Sequence, residues 1–265
     1  MAIGMSSGAI SVLALETATA GGCLIYESAF RKDCKDVVSD VKFSPNQGYI
    51  AAGSHDDAVY VYSLTNSTPT DRKGDRGEVL RSRRRMSLHP LHRLKGHSSY
   101  LTHIDWSRDE ALLRSTCGAY ELLLWDLSAG KLATGATEAD IKWDTHTCVL
   151  GFNVMGIWPK YSDGTDVNAV SVSRKKNLIA TADDFGLLSL FNYPCVVSGA
   201  PCRKFVGHRY FCTKCLHISV STYLHVFVAH SSHVPNVSFN GHHDEQLVTV
   251  GGQDGSVIVW SVRSI

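Results

Sequence analysis

One plan recurs four times along this chain of 265 residues. Three short runs rich in β-branched and aromatic residues are separated by turn residues. The first copy reads Ser39-Asp40-Val41-Lys42-Phe43-Ser44-Pro45, then Tyr49-Ile50-Ala51-Ala52-Gly53-Ser54, then Asp56-Asp57, then Val59-Tyr60-Val61-Tyr62. The second opens on Gly96-His97, passes through Leu101-Thr102-His103-Ile104-Asp105-Trp106-Ser107 and residues 112–117, and closes on Leu122-Leu123-Leu124-Trp125-Asp126. The third contains Val167-Asn168-Ala169-Val170-Ser171-Val172, Leu178-Ile179-Ala180-Thr181-Ala182, Asp183-Asp184 and residues 187–191. The fourth follows His230 with residues 234–239, Leu247-Val248-Thr249-Val250-Gly251-Gly252, Asp254-Gly255 and Val257-Ile258-Val259-Trp260. Alternation at period two predicts strands in each run. No comparable stretch sustains a helical period. A fixed repeat of this length means that each copy buries its apolar faces only by stacking on its neighbours.

A repeat that ends in Trp-Asp and is preceded by Gly-His carries the WD-repeat signature. The fold class expected is therefore all-β, a WD-repeat β-propeller of four-stranded antiparallel blades. The signature has a local chemistry. A turn Asp accepts hydrogen bonds from backbone amides and from the blade His. The His reaches a Ser or Thr, and the Trp supplies a large apolar body with one donor. Once satisfied, such a network fixes the blade. The candidate blade-structural residues are His97 and Trp125 in the second copy, whose turn position holds Ala119. Asp56 serves the first copy, with Tyr62 in the Trp place, and Asp184 the third. His230, Asp254 and Trp260 serve the fourth. Blades are expected near 37–64, 93–127, 166–194 and 230–262. Ala2-Ile3-Gly4 and Ile10-Ser11-Val12-Leu13 flank Ser6-Ser7-Gly8 as a leading hairpin. About four blades plus a hairpin within 1–262 is an incomplete wheel, because closed propellers take about 4–8 blades. A fragment or short isoform, the C-terminal part of a longer propeller, is the expectation.

Composition narrows the function classes. The net charge is +1, so no whole-chain field favours nucleic acid or a membrane surface. The start, residues 1–15, is apolar but lacks the positive region of a signal peptide. No apolar run is long enough to predict a membrane-spanning helix. The eight cysteines are scattered, which predicts reduced thiols in a cytosolic protein. There is no Gly-rich phosphate loop, no Gly-x-Ser-x-Gly elbow and no His-Glu-x-x-His. Asp183-Asp184-Phe185-Gly186 contains a kinase-like triplet without its chemical context, and Asp163 and Asp166 flank Gly164-Thr165. Both read as blade turns. No catalytic residue and no cofactor is expected.

Two insertions interrupt the repeats. The first covers residues 66–92. From residue 72 to residue 95 the chain carries Arg72, Lys73, Arg76, Arg81, Arg83, Arg84, Arg85, Arg93 and Lys95 against Asp75 and Glu78. The reading is a basic loop. Arg81, Arg83, Arg84 and Arg85 form a possible patch for an acidic partner. Ser87 follows three arginines as a possible phosphosite. A solvated loop without a partner explains the same residues. The second insertion, 209–229, separates Val206-Gly207-His208 from its echo Val228-Ala229-His230. Cys212, Cys215, His225 and His230 approach a zinc-finger ligand set with a short central spacer. The spacing departs from the usual finger pattern, so unconstrained Cys and His in an inserted exon are the preferred reading and no metal is expected.

Residues 143–195 carry a more specific pattern. They include Trp143-Asp144-Thr145-His146, Gly151-Phe152, Trp158-Pro159, Asp163-Gly164-Thr165-Asp166, Asp183-Asp184-Phe185-Gly186 and Phe191-Asn192-Tyr193-Pro194-Cys195. With Gly96-His97-Ser98-Ser99-Tyr100-Leu101-Thr102-His103 and Ser231-Ser232-His233-Val234, this set resembles the end of a propeller of the echinoderm microtubule-associated protein-like family. The resemblance covers most of residues 33–262 outside the insertions. It implies a non-enzymatic cytoskeletal scaffold in the cytoplasm, with tubulin or microtubules as partners and other proteins held through propeller loops. Family members join two propellers behind a hydrophobic motif, and some add an N-terminal coiled coil with a basic region. This sequence shows neither element, which leaves direct microtubule binding open. A generic WD-repeat adaptor in another complex is the alternative, and a zinc-dependent enzyme or metal module is a third reading.

Overall fold

Each repeat folds as an antiparallel meander, and the alternation in its sequence becomes alternation between two cores. The computed structural model describes residues 1–17, 23–67, 72–73, 79–80, 85–158, 167–173, 175–206, 216–219, 233–240 and 245–263. The first sheet contains Ala2–Gly4, Ile10–Thr17 and Cys23–Arg31, paired in that order. The second contains Val38–Phe43, Tyr49–Ser54, Ala58–Ser67 and Arg85–Lys95. The third contains Leu101–Trp106, Leu112–Cys117, Leu122–Asp126 and Lys131–Leu132. The fourth contains Val167–Ser173, Leu178–Asp183, Leu187–Asn192 and Cys202–Val206. In the fifth, Asn236–Phe239, Gln246–Val250 and Val257–Arg263 pair antiparallel, and Leu216–Ser219 runs parallel to Val257–Arg263. Arg72–Lys73 and Val79–Leu80 form a separate two-stranded ribbon. The described residues contain no helix long and apolar enough to cross a membrane.

The repeat extends to backbone detail. In the second, third and fourth sheets the opening strand shifts register at one place, between Val38 and Asp40, Leu101 and His103, and Val167 and Ala169. Each shift is a bulge that re-aims one side chain: Ser39 donates to the Gly53 carbonyl, Thr102 meets the Thr116 hydroxyl, and Asn168 reaches Asp184. The turn after that strand places Gln47, Glu110 and Asn177 at positive φ. The next turn does so with Asp57, Tyr120, Gly186 and Gly255.

The chain divides into two compact units, 1–136 with 141–145, and 137–140 with 146–265. In the first unit, Ile50, Ala52, Ala58, Tyr60 and Tyr62 pack with Ile10 and Val12 of the first sheet. The intervening Ala51, Val59 and Val61 point the other way, onto Leu101, Ile104, Trp106, Leu113 and Trp125 of the third sheet. Polar ties join the same two sheets. Trp106 Nε1 donates to Lys42 O at 3.2 Å, Lys42 Nζ to Ile104 O at 2.7 Å, and Ile104 N to Asp40 Oδ2 at 3.0 Å. In the second unit, Ala169, Ala180, Ala182, Leu188 and Leu190 pack with Val237, Phe239, Leu247 and Trp260. The opposite face of that sheet, Val170, Ile179 and Phe191, lies under Val149, Val154 and Ile157, the last two on the 3-10 helix Phe152–Ile157. Each large side chain buried this way contributes about 1.5–3 kcal/mol.

Four details differ from the sequence expectation. The leading hairpin gains a third strand, Cys23–Arg31, so five sheets of three or four strands replace about four blades plus a hairpin. One pairing, in the fifth sheet, is parallel where all blades were expected antiparallel. Residues 85–92, expected as loop, belong to an eleven-residue strand that pairs with Ala58–Ser67 as far as Ser67 opposite Arg85. Residues 216–219, inside the second insertion, supply the outer strand of the fifth sheet.

Candidate functional site

The third sheet holds the most complete polar cluster. Leu113 pairs with Trp125 across the ladder, which sets Ser115 beside the indole. Trp125 Nε1 donates to Ser115 Oγ at 2.7 Å, and His97 Nε2 lies 2.6 Å from the same oxygen. The imidazole is enclosed, with 0% of its side chain exposed. Burial therefore pulls its pKa below the ordinary value, against the opposing pull of Glu121.

Ala119 stands at the expected acid position, and Glu121 supplies the acid instead. Its Oε2 accepts from Ser98 N at 2.8 Å and its Oε1 from Ser98 Oγ at 2.8 Å. Cys117 Sγ donates to Oε2 at 3.3 Å. The Ser98 amide and hydroxyl, then the thiol, bring the Glu121 carboxyl down to about 2. His97 Nδ1 stands 3.4 Å from Oε2. No aligned hydrogen bond joins them, so proximity, not a made bond, describes that contact. Burial raises the Cys117 thiol above its ordinary range. His97, Cys117 and Glu121 thus present one imidazole nitrogen, one sulfur and one carboxylate oxygen within 4.8 Å of one another.

The other sheets hold variants of this clamp. In the second, Asp56 Oδ2 accepts from Tyr60 OH at 2.6 Å, Arg93 Nη2 at 3.0 Å and Lys35 N at 3.2 Å. Burial works to raise its carboxyl, but these donors outweigh it and the net shift is downward. Tyr62 fills the Trp place, and its buried hydroxyl makes no hydrogen bond of ordinary geometry. In the fourth sheet Asp183, not Asp184, caps the turn, accepting from Phe185 N at 2.9 Å and Leu187 N at 2.8 Å. Asp184 accepts from Asn168 Nδ2 at 2.8 Å. Residues 183–186 are thus a turn closed by its own acid. In the fifth sheet Trp260 Nε1 donates to Thr249 Oγ1 at 2.9 Å, and Asp254 Oδ1 accepts from Ser256 N at 3.0 Å and Ser256 Oγ at 2.9 Å.

Other candidates fall differently. His230, Cys212, Cys215 and His225 lie outside the described residues, as do Arg81, Arg83, Arg84, Asp163 and Asp166. Arg85 ends its strand opposite Ser67, and Ser87 is exposed opposite Thr65. Cys34, Cys117, Cys148, Cys195 and Cys202 form no disulfide among the described residues. Glu121 and Cys117 were not singled out from sequence. The only available signal was an acid two residues beyond the vacant position at Ala119. A buried ion pair also escaped notice: Arg114 Nη2 meets Asp105 Oδ2 at 3.0 Å with both side chains enclosed, and its guanidinium lies 4.5 Å from the Trp143 ring centre.

Comparison with known proteins fits this geometry. Residues 1–224 match the family described as the echinoderm microtubule-associated protein second beta-propeller, and residues 221–261 match the WD domain, G-beta repeat. Over 97% of its length the chain is 37% identical to echinoderm microtubule-associated protein-like 3 of Mus musculus, of which it spans 25%. It is 39% identical to echinoderm microtubule-associated protein-like 2 of Rattus norvegicus over 95% of its length, spanning 34% of that protein. It is also 39% identical to the 77 kDa echinoderm microtubule-associated protein of Lytechinus variegatus over 99% of its length, spanning 32%. The chain thus spans no more than about a third of these curated relatives. Among solved structures, the C-terminal WD40 domain of Sif2 matches with a TM-score of 0.55 at 14% identity, covering 98% of this chain and 65% of that one. A chain of the mitotic checkpoint complex matches with a TM-score of 0.57 at 15% identity, covering 99% of this chain and 73% of that one. At these identities the two structures speak for the fold alone. The sheets, the Trp clamps and the match over residues 1–224 lead to one conclusion: the chain belongs to the echinoderm microtubule-associated protein family of WD-repeat β-propellers.

Proposed function

We propose that this chain is a non-enzymatic scaffold that engages microtubules or tubulin in the cytoplasm. The observation that carries the reading is the family match over residues 1–224. The polar groups support it. His97, Ser115 and Trp125 hold one another, and Asp183 and Asp254 hold their own turns. Groups committed in this way keep a scaffold rigid and present its loops for binding.

The basic stretch around Arg81, Arg83, Arg84 and Arg85 is the proposed contact with an acidic surface such as a tubulin tail. Phosphate on Ser87 weakens that contact by cutting the local positive charge. Co-sedimentation with polymerised microtubules, run beside a soluble-tubulin pull-down, tests the reading. The chain is expected in at least one bound fraction, and Arg83→Glu with Arg84→Glu is expected to reduce it. No binding in either assay rejects the tubulin reading and favours a WD-repeat adaptor in another complex.

A further inference from the structure

We propose that His97 Nδ1, Cys117 Sγ and Glu121 Oε2 form a three-ligand site for a divalent cation of the zinc class, with solvent as the fourth ligand. Two of the three separations suit it, and all three atoms lie within 4.8 Å of one another. A zinc tetrahedron with bonds of about 2.0–2.3 Å has ligand-to-ligand edges of about 3.3–3.6 Å. Here Nδ1 to Oε2 is 3.4 Å and Sγ to Oε2 is 3.3 Å. The donor set of imidazole, thiolate and carboxylate selects a borderline-soft ion over calcium or magnesium.

Two further observations point to a ligand. His97 Nδ1 is buried, lacks a hydrogen bond and faces the carboxylate. The other ring nitrogen is already anchored, 2.6 Å from Ser115 Oγ, and Trp125 Nε1 secures that hydroxyl. When Nε2–H donates to Ser115, Nδ1 offers its lone pair toward Glu121, an unfavourable pairing that a cation between them reverses. Oε1 accepts from Ser98 Oγ and Oε2 from Ser98 N, so the carboxylate is held with Oε2 toward His97 and Cys117, where the ion replaces the thiol proton. The Glu121 side chain is 36% exposed and gives the ion a path from solvent.

Among the described residues the combination occurs in this sheet alone. Cys117 pairs with Leu101 at the start of its ladder, and at the corresponding rung the second sheet carries Ser54 opposite Val38 and the fourth carries Asp183 opposite Val167. Binding releases the Cys117 thiol proton to solvent as the sulfur–metal bond forms, so affinity rises with pH.

The test is a Co2+ titration of the full chain carrying Cys212→Ser and Cys215→Ser, which removes the other candidate thiols. The expected result is a thiolate-to-cobalt charge-transfer band that saturates near one ion per chain and is displaced by Zn2+. Cys117→Ala abolishes the band. Glu121→Gln weakens binding about tenfold or more, the range that loss of even an outer-shell partner produces. Cys117→Ser, close in size to the native side chain, serves if the alanine variant does not fold, with circular dichroism confirming the fold of each. A titration without the band, or a band that survives loss of the Cys117 sulfur, overturns the site and leaves a metal-free hydrogen-bonded clamp.

Discussion

Ser115 is the hinge of the best-formed clamp because it serves Trp125 and His97 with one oxygen. Trp125→Phe keeps most of the apolar body and deletes one donor, so it is expected to lower stability by about 1 kcal/mol, read as a lower urea midpoint. The pH dependence follows from the two ionisable members. The folded pKa of His97 lies below that of the unfolded chain. The unfolded state therefore takes the proton first, and stability falls as pH drops below the ordinary histidine range. Glu121 is held at about 2, below an unfolded carboxylate. Its contribution is complete above the ordinary Glu value and disappears as pH falls toward about 2. Urea midpoints measured from pH 7 down to pH 2 should show both losses, and Glu121→Gln should reduce the acid one, to which Asp56, Asp109 and Asp126, also lowered, contribute. His97 and Trp125 were legible because they sit in a signature. Glu121 was not, because it works from an off-register position once Ala119 has vacated the usual one. The choice between Asp183 and Asp184 was also closed to sequence. Both acids are adjacent, and only the backbone register decides which one faces the turn amides.

Strands were legible where alternation was clean, and less so where another signal overlaid it. Met86 and Leu88 alternate into the core of the first two sheets, but arginines crowd the same stretch and suggested a loop. Cys23–Arg31 lacks a Trp-Asp ending, so nothing marked it as part of a repeat. Two elements invite mutation. Gly8 turns the chain between the first two strands at φ +79°, and a Cβ there would lie 2.3 Å from the Cys34 carbonyl oxygen. Left-handed backbone alone costs an L-residue about 1–2 kcal/mol, and the backbone collision adds to it. Gly8→Ala should lose more than that range in a urea melt. Arg114 and Asp105 pair inside the third sheet. Arg114→Ala strands a buried carboxylate and should destabilise by about 3–5 kcal/mol, whereas Arg114→Met with Asp105→Leu should recover much of the loss. Chemical unfolding of the three variants checks the order.

At the scale of the molecule, repetition made the fold class readable and left the partner unread. Alternating faces, bulges and turns follow from local sequence, but a binding surface depends on loops that vary freely on one scaffold. The described residues contain strands and two short 3-10 helices, so far-UV circular dichroism should show a β spectrum without helical minima. Helical bands would contradict the architecture. The ladder between Ala58–Ser67 and Arg85–Lys95 runs out to Asn66 opposite Met86 and Ser67 opposite Arg85. The polypeptide between those rungs leaves and returns through a single stem, so its closure is secured independently of its length. Doubling such a stretch costs only about 0.6 kcal/mol. That ladder is therefore expected to hold whatever length of chain joins Ser67 to Arg85. Evolution or an engineer can lengthen that join, replace its charges or fuse a reporter into it while the pairing of the second sheet stays as it is.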